Sequence, residues 1–492
     1  MNKHITLLLL ALAMAFGAKA QDATFFKTES DYYVEGWDCV NTSDGCVIFQ
    51  TLYFDIEAQI DLGRVFYKID MDGVAVDSVF YADPISSHHM RFTKDPRNEA
   101  SNLLLKIDNT NEGNFLHVIG ISDALELSEE LNMLLPGGEQ GETNNWEIII
   151  DDYDDIIVYW ESHGTDGKIR HFDRIGLDGT VKTVSEAMID DDRSPYSGTL
   201  FCKGKNPLEY GFLFTKWENP NVTSGIYGYT LDSLFKVVSF KKFPVRIDGI
   251  AFSAALGELN MTLDDDNNVL LTCMGVGYDG SGSYITDYAM MLKLNRDWDI
   301  VSHLCIEKDT TGSIAWSEYA CAANPDEIYH VRIMRNNGHD EMLVMSKINS
   351  AMEIEWERFA VPTSYGEVCY WVPRYLGITD DGHIVTSGTK YDYSGTVSGF
   401  LSIIHDETAD VEENGWLVRP YAIYPNPVKD KLSIQFSPDV KPESIELYDI
   451  AGRCVASSRT AEMDVADLPA GQYVAKIVLE GGRVYSDKVI KE

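Results

Sequence analysis

The chain has 492 residues, 45% hydrophobic and 11% aromatic, with 40 Lys+Arg against 78 Asp+Glu and a formal charge of −38. That length supports a large core and more than one domain. So large an excess of carboxylates repels phosphate backbones and anionic membranes, which argues against nucleic acid as a partner and leaves cationic ligands, divalent ions or plain solubility outside the cell.

At the start, Lys3 precedes an apolar run from Ile5 to Phe16, and Ala18-Lys19-Ala20 supplies the small-x-small pattern of a signal-peptidase site. The expectation is a secretory leader over residues 1–20, cut between Ala20 and Gln21. No later stretch offers about 18 apolar residues in a row, so no transmembrane helix is expected. The leader adds two positive charges, and residues 420 to 492 carry nine Lys/Arg against eleven Asp/Glu, so residues 21 to 419 carry −38 on their own.

Eight cysteines are present without a CxxC or CxxxC, which argues against zinc-ribbon and thioredoxin-like chemistry. Cys39 and Cys46 flank a hairpin-like loop, Val40 to Gly45. A disulfide there suits an oxidising compartment, and two buried thiols on neighbouring strands suit the same letters.

From residue 22 to 410, apolar and polar residues alternate between Gly, Asp and Asn turns, the pattern of an all-β region. A strand running into an Asp-Gly turn at Phe66 to Val74, followed by a strand from Ala75 to Tyr81, recurs at Phe172 to Val181 and more loosely elsewhere. The residues before these turns are Ile69, Ile121, Ile175, Tyr229, Leu294, Ile348 and Ile404, at steps of 52, 54, 54, 65, 54 and 56. Seven units, each long enough for four short strands, predict a seven-bladed β-propeller over residues 21–405; two or three sandwiches in series are the competing architecture. Asn267 to Gly275 and Asp381 to Gly388 read as inner strands. The pattern loosely resembles the degenerate propeller repeats of exported Bacteroidetes proteins. Residues 406–419, rich in Asp and Glu, read as a linker.

No motif carries chemistry by itself: there is no HExxH, GxSxG, Gly-rich phosphate loop or sialidase-type S-x-D-x-G-x-x-W box. His88 and His89 are adjacent, and on a strand they would point to opposite faces. Three acidic clusters, Asp151 to Asp155, Asp190 to Asp192 and Asp264 to Asn268, offer the oxygen ligands calcium takes, without EF-hand order; such runs also serve as exposed turns. Calcium is the one cofactor these letters suit. Trp146, Trp160, Trp217, Trp316, Trp356 and Trp371 suit sugar stacking or, more simply, packing between blades. No catalytic, cofactor-binding or metal residue is assigned.

The last stretch alternates short strands and turns. Tyr424-Pro425-Asn426-Pro427 opens it, Ile445 to Gly452 is a strand and turn, Leu468-Pro469-Ala470-Gly471-Gln472-Tyr473 breaks and restarts the chain, and Lys488-Val489-Ile490-Lys491 ends it. The spacing predicts a small β-sandwich over 420–492. These motifs, in this order and at the chain's end, closely resemble the type A C-terminal sorting domain of type IX secretion cargo. The resemblance implies recognition by the type IX machinery, export across the outer membrane, removal of the tail, and release or attachment to surface lipopolysaccharide.

Two readings of the propeller region follow. One is a cell-surface or secreted binding and scaffold module for a glycan or protein. The other is a hydrolase or lyase with its site in the propeller funnel, which would require carboxylates converging there with perturbed pKa values.

Overall fold

The computed structural model describes residues 23–404 apart from 29, 31, 59, 83–89, 139–145, 165–166, 188–198, 205, 220–222, 245, 254–259, 265–267, 279–283, 308–318, 325–326, 337–339, 361–368 and 393–394. It also describes 421–491 apart from 425–427, 437–441, 450–452 and 480–483. The chain divides into two units, Met1–Val411 and Glu412–Glu492. The expected leader and cleavage pair, the linker, His88, His89 and Asp190 to Asp192 lie outside the described residues.

In the larger unit the described strands form seven antiparallel sheets. Blade 1 runs Tyr33–Asn41, Val47–Asp55, Ile60–Ile69 and Ala75–Tyr81 as one meander. Blades 2, 3, 4 and 6 repeat that order, opening with Met90–Lys94, Trp146–Ile150, Thr199–Lys203 and Tyr319–Asn324. Blade 5 is six-stranded: Arg246–Ile247, Ile250–Ser253 and Asn260–Leu263 precede Val269–Tyr278, and this insertion explains the long step between the fourth and fifth sequence units. Blade 7 takes Cys369–Ile378, Ile384–Asp392 and Val397–Ile404 from the end of the unit and its outer strand, Ala23–Lys27, from the beginning. The strand Tyr33–Asn41 meets both Met90–Lys94 and Cys369–Ile378, and the other opening strands meet in turn, closing a ring; blade 5 contributes Asn260–Leu263. This is a β-propeller closed by both ends of its own chain.

The repeat is written most plainly at one turn. Where the third strand meets the fourth, a backbone N–H donates to the carbonyl three residues back: Gly73 to Asp70, Leu125 to Ser122, Gly179 to Gly176, Phe235 to Asp232, Trp298 to Asn295 and Met352 to Asn349. All six donors have positive φ. Gly73 and Gly179 adopt it without steric cost. The other four carry a left-handed strain of roughly 1–2 kcal/mol, offset by burying a large side chain against the preceding blade, worth about 1.5–3 kcal/mol. Leu125 reaches Ile48 and Phe66, Phe235 reaches Tyr159 and Phe172, Trp298 reaches Leu213, and Met352 reaches Met291, each within one apolar cluster.

The seven residues marked in the sequence all lie on third strands. In blade 4, however, the equivalent residue is Leu231 rather than Tyr229, because the bulge at Thr230/Leu231 matches those at Lys68/Ile69 and Arg174/Ile175. A second correction concerns the strands read as inner. Val269–Tyr278 and Ile384–Asp392 are second strands; Ile384–Asp392 is flanked on both sides and buried over most of its length, whereas the inner strand Cys369–Ile378 alternates buried and partly exposed positions toward the channel. Apolar content marks the middle of a blade, not its axis. At the closing seam the backbones nearly touch: a Cβ on Gly36 would sit 2.0 Å from the Gly388 carbonyl oxygen. The Gly36 N–H donates to Thr389 Oγ1 at 3.1 Å, and Ser387 Oγ donates to the Trp37 carbonyl at 2.5 Å.

The smaller unit pairs a three-stranded sheet, Tyr421–Tyr424, Lys431–Phe436 and Glu462–Asp464, with a four-stranded one, Pro442–Tyr448, Cys454–Ser458, Gly471–Leu479 and Val484–Lys491. Leu432, Ile434 and Met463 from the first share one core with Ile445, Leu447, Ala475, Ile477 and Val489 from the second, as in a sandwich. Leu468 packs on that core, and Tyr473 donates its hydroxyl proton to the Pro469 carbonyl at 2.7 Å. Tyr424 pairs with Ser433, Lys488 with Val474 and Lys491 with Gly471. Pro425, Asn426, Pro427 and Gly452 lie outside the described residues.

Candidate functional site in the propeller channel

The seven opening strands surround the axis, and a cavity of about 340 Å³ lies among those of blades 1, 2, 5, 6 and 7. Side chains alternate across a strand, so each opening strand sends some residues into its blade and some toward the axis. Blade 1 contributes Asp38, blade 2 Arg91, blade 5 Asn260, blade 6 Tyr319, and blade 7 Arg374 and Tyr375. Glu147, on the opening strand of blade 3, belongs to the same electrostatic group because the Arg91 charge acts on it.

Asp38 and Glu147 are each half-buried by exposed surface. The protein wall around them nonetheless excludes most bulk water, and that desolvation dominates their titration. It pushes the Asp38 carboxyl up; Arg91, the nearby Phe92 N–H, Arg374 and Arg64 pull it partly back down. Desolvation pushes Glu147 up to about 7, with Arg91 opposing. Tyr319 is pushed up to about 12 by burial, with Arg374 acting in the opposite sense. Among the described residues, Asp38 and Glu147 form no ion pair at contact distance with Arg91 or Arg374. The Arg374 guanidinium lies 4.8 Å from the Trp37 ring centroid, and its buried Nε donates to no protein acceptor. The channel therefore holds an acid that titrates near neutrality, a second raised carboxyl, fixed positive charge and hydrogen-bonding groups.

Apart from Cys39, which lines the cavity, the described residues singled out from sequence lie elsewhere. Asp151 and Asp155 are engaged by protein groups: Arg174 reaches them at 3.2 and 2.7 Å, Lys182 meets Asp155 at 2.5 Å, and the Tyr210 hydroxyl donates to Asp151 at 3.0 Å. Asp264 is held by Lys293 at 3.0 Å and by the Asn268 N–H at 2.7 Å. Among the described residues no group of three or more His, Cys, Asp or Glu side chains is arranged to hold a metal ion. Trp146, Trp160 and Trp371 are buried in blade cores, with Trp146 stacked on Trp160 at 5.7 Å; Trp356 is half-buried beneath Arg358, and Trp316 lies outside the described residues. Cys39 and Cys46 are both free thiols. Across the hairpin the residue opposite Cys39 is Phe49, three positions beyond Cys46.

Asp38, Arg91, Glu147 and Arg374 were not singled out by sequence. Their one signal is a charge on the strand that opens a blade, single in Trp146–Ile150 and Cys369–Ile378 and one of two in Tyr33–Asn41 and Met90–Lys94, and it becomes meaningful only once the strands are assigned to blades.

Residues 422–492 match the family described as Secretion system C-terminal sorting domain. The tail makes this chain a type IX secretion cargo, exported to the cell surface or released. No curated protein matches the sequence. Among solved structures the chain is similar to polysaccharide lyase Uly1, at 10% identity and a TM-score of 0.45 over 75% of this chain and 90% of that one. It is also similar to the Penicillium chrysogenum α-L-arabinanase complexed with arabinobiose, at 11% identity and 0.41 over 65% and 93%. A third is the β-propeller domain of the Trilobed protease from Pyrococcus furiosus, at 7% identity and 0.38 over 74% and 94%.

Proposed function

We propose that this exported cargo is a ligand-binding module whose propeller takes a glycan into its channel, after a leader ending at Ala20 is removed and the type IX machinery has engaged the tail. The observation that carries the reading is the cavity of about 340 Å³ with hydrogen-bonding and charged groups drawn from five blades. Its size falls in the range of small-ligand sites. A narrow polar recess suits a polyhydroxylated chain better than the broad face of a folded protein, whose interface needs on the order of 800 Å² per partner. Asn260 and Tyr319 supply hydrogen bonds to hydroxyls, and Tyr375 supplies an aromatic wall. Surface attachment through lipopolysaccharide, or release, would decide only where the module works.

The test is calorimetric titration of the mature chain with a panel of oligosaccharides. Binding that is lost in Tyr319→Ala, while circular dichroism stays unchanged, supports the reading. Retained binding in that variant would move the site out of the channel.

A hydrolase or lyase is the second reading, favoured by one observation: Asp38 and Glu147 both have raised pKa values, and Arg91 acts on both. A carboxyl titrating near 7 is well matched to proton transfer at neutral pH. Incubating the mature chain with each bound polysaccharide and measuring chain length decides the matter. Shortened products that disappear in Glu147→Gln would make it an enzyme; unchanged chains leave it a binder.

A further inference from the structure

We infer that the channel selects a sugar bearing an anionic group, a carboxylate or a sulfate ester, seated on Arg374 and Arg91; this rests on the glycan reading of the channel. The overall charge of −38 makes the local balance unexpected. The cavity wall carries Arg91, Lys94 and Arg374 against Asp38 and Asp380, so the acidic protein presents a cationic excess on this wall. The acidic exterior does not cancel it, because charges beyond roughly 8–10 Å are largely screened at physiological salt.

Pairing sets these arginines apart from the cations buried within the blades. Within the blades Lys106, Arg170 and Lys293 each meet a carboxylate at hydrogen-bonding or ion-pair distance, whereas Arg91 and Arg374 have no such partner among the described residues. Arg374 is also held in place: its guanidinium carbon lies 4.8 Å from the Trp37 ring centroid, and its buried Nε has no protein acceptor. A buried donor without an acceptor is costly. A planar guanidinium fixed by an aromatic ring is a pre-organised fork for a carboxylate or sulfate oxygen pair. Asn260 and Tyr319, on the same wall, are placed for the neighbouring hydroxyls.

The experiment titrates the mature chain at physiological ionic strength with two matched pairs: an oligogalacturonate against its methyl ester, and a sulfated galacto-oligosaccharide against its desulfated parent. We expect the charged member of at least one pair to bind about tenfold or more tightly than its neutral partner. Which pair shows the preference identifies the group. The preference should fall to near unity in Arg91→Gln and in Arg374→Gln, the charged member losing several-fold more affinity than the neutral one. Arg91 is exposed to the channel, so its variant stays informative even if Arg374→Gln loosens the Trp37 contact. Equal binding within both pairs, or a preference surviving in the double variant, overturns the anionic assignment and leaves the glycan reading standing. If other oligosaccharides bind nowhere in the channel and none of these four binds, both fall together.

Discussion

Inside the blades and around the channel, this propeller treats charge in opposite ways. Between strands, buried ions are matched: Lys106 and Asp108, 2% and 3% exposed, meet at 2.8 Å with His117 at 3.1 Å from the same carboxylate. Arg170 and Glu161, 2% and 3% exposed, meet at 3.3 Å, and the Tyr159 hydroxyl donates to Glu161 at 2.5 Å. Around the channel, Asp38, Glu147, Arg91 and Arg374 influence one another without contact pairs. The matched groups are accounted for by folding, because an unpaired ion between blades would be prohibitively costly. The unmatched ones are not, which is why the proposed site is built on them.

The largest effect should come from unmatching a blade. Glu161→Ala strands the Arg170 guanidinium in a site almost sealed from water and should cost about 3–5 kcal/mol, read as a lower urea midpoint. A loss below about 1 kcal/mol would show that the pair adds little to folding and would blur the contrast with the channel.

Next in size is a pH effect from two raised acids, one in each region. Asp173 is fully buried in blade 3, accepts from Trp160 Nε1 at 2.9 Å, and is pushed up to about 7 by desolvation; Glu147 in the channel is pushed to the same value. In both cases the folded state keeps a proton that the unfolded chain gives up near pH 4. Their contribution is therefore most favourable at low pH and declines as pH rises toward and through about 7. At about 1.4 kcal/mol per pKa unit, Asp173→Asn should remove on the order of 2–3 kcal/mol of this decline and Glu147→Gln, with channel water screening it, on the order of 1–2. Urea midpoints of each variant and the parent at pH 5 and pH 8 give the two differences. If Glu147→Gln flattened the profile as much as Asp173→Asn, the channel would be as dry as a blade core.

Asp38→Asn should change stability by no more than about 1 kcal/mol, since it removes a disfavoured charge without breaking a contact pair. By taking an acid from beside Arg91 and Arg374 it should raise the affinity for a charged oligosaccharide several-fold. A drop in that affinity, with stability preserved, would make Asp38 a direct ligand contact rather than a counter-charge.

Sequence exposed what is local and concealed what is assembled. The turn after Ile69, Ile175, Leu294 and Ile348 recurs because each copy is closed by a backbone bond spanning three residues, so the blade period is legible; Tyr229 stands in for Leu231 in that pattern because the two lie two residues apart on the same apolar face of the strand. The tail was legible for the same reason, its motifs forming hairpins within one short sandwich. The channel is the opposite case. Asp38 and Arg374 reach the axis from opening strands more than three hundred residues apart, and the packing of Tyr33–Asn41 against blade 7 at the closing seam brings them together. The acidic runs drew attention because carboxylates cluster there along the chain, yet Asp151, Asp155 and Asp264 are held by Arg174, Lys182 and Lys293 from other strands.

The smallest expected effect sharpens the contrast by separating pairing from burial. Lys203 and Asp152 meet at 2.7 Å between neighbouring blades, closer than Lys106 and Asp108 or Arg170 and Glu161, but are 40% and 54% exposed. In water the attraction is weak, screened by salt, and opposed by the side-chain entropy lost in holding the contact. Lys203→Gln should therefore cost at most about 0.5 kcal/mol, and that difference should vanish in 0.5 M salt. The Glu161→Ala penalty should persist there, since salt does not reach Arg170. A Lys203→Gln loss of several kcal/mol would mean that contact distance, rather than exclusion of water, sets the worth of a pair here, and the unpaired arginines of the channel would then need an explanation other than a missing ligand.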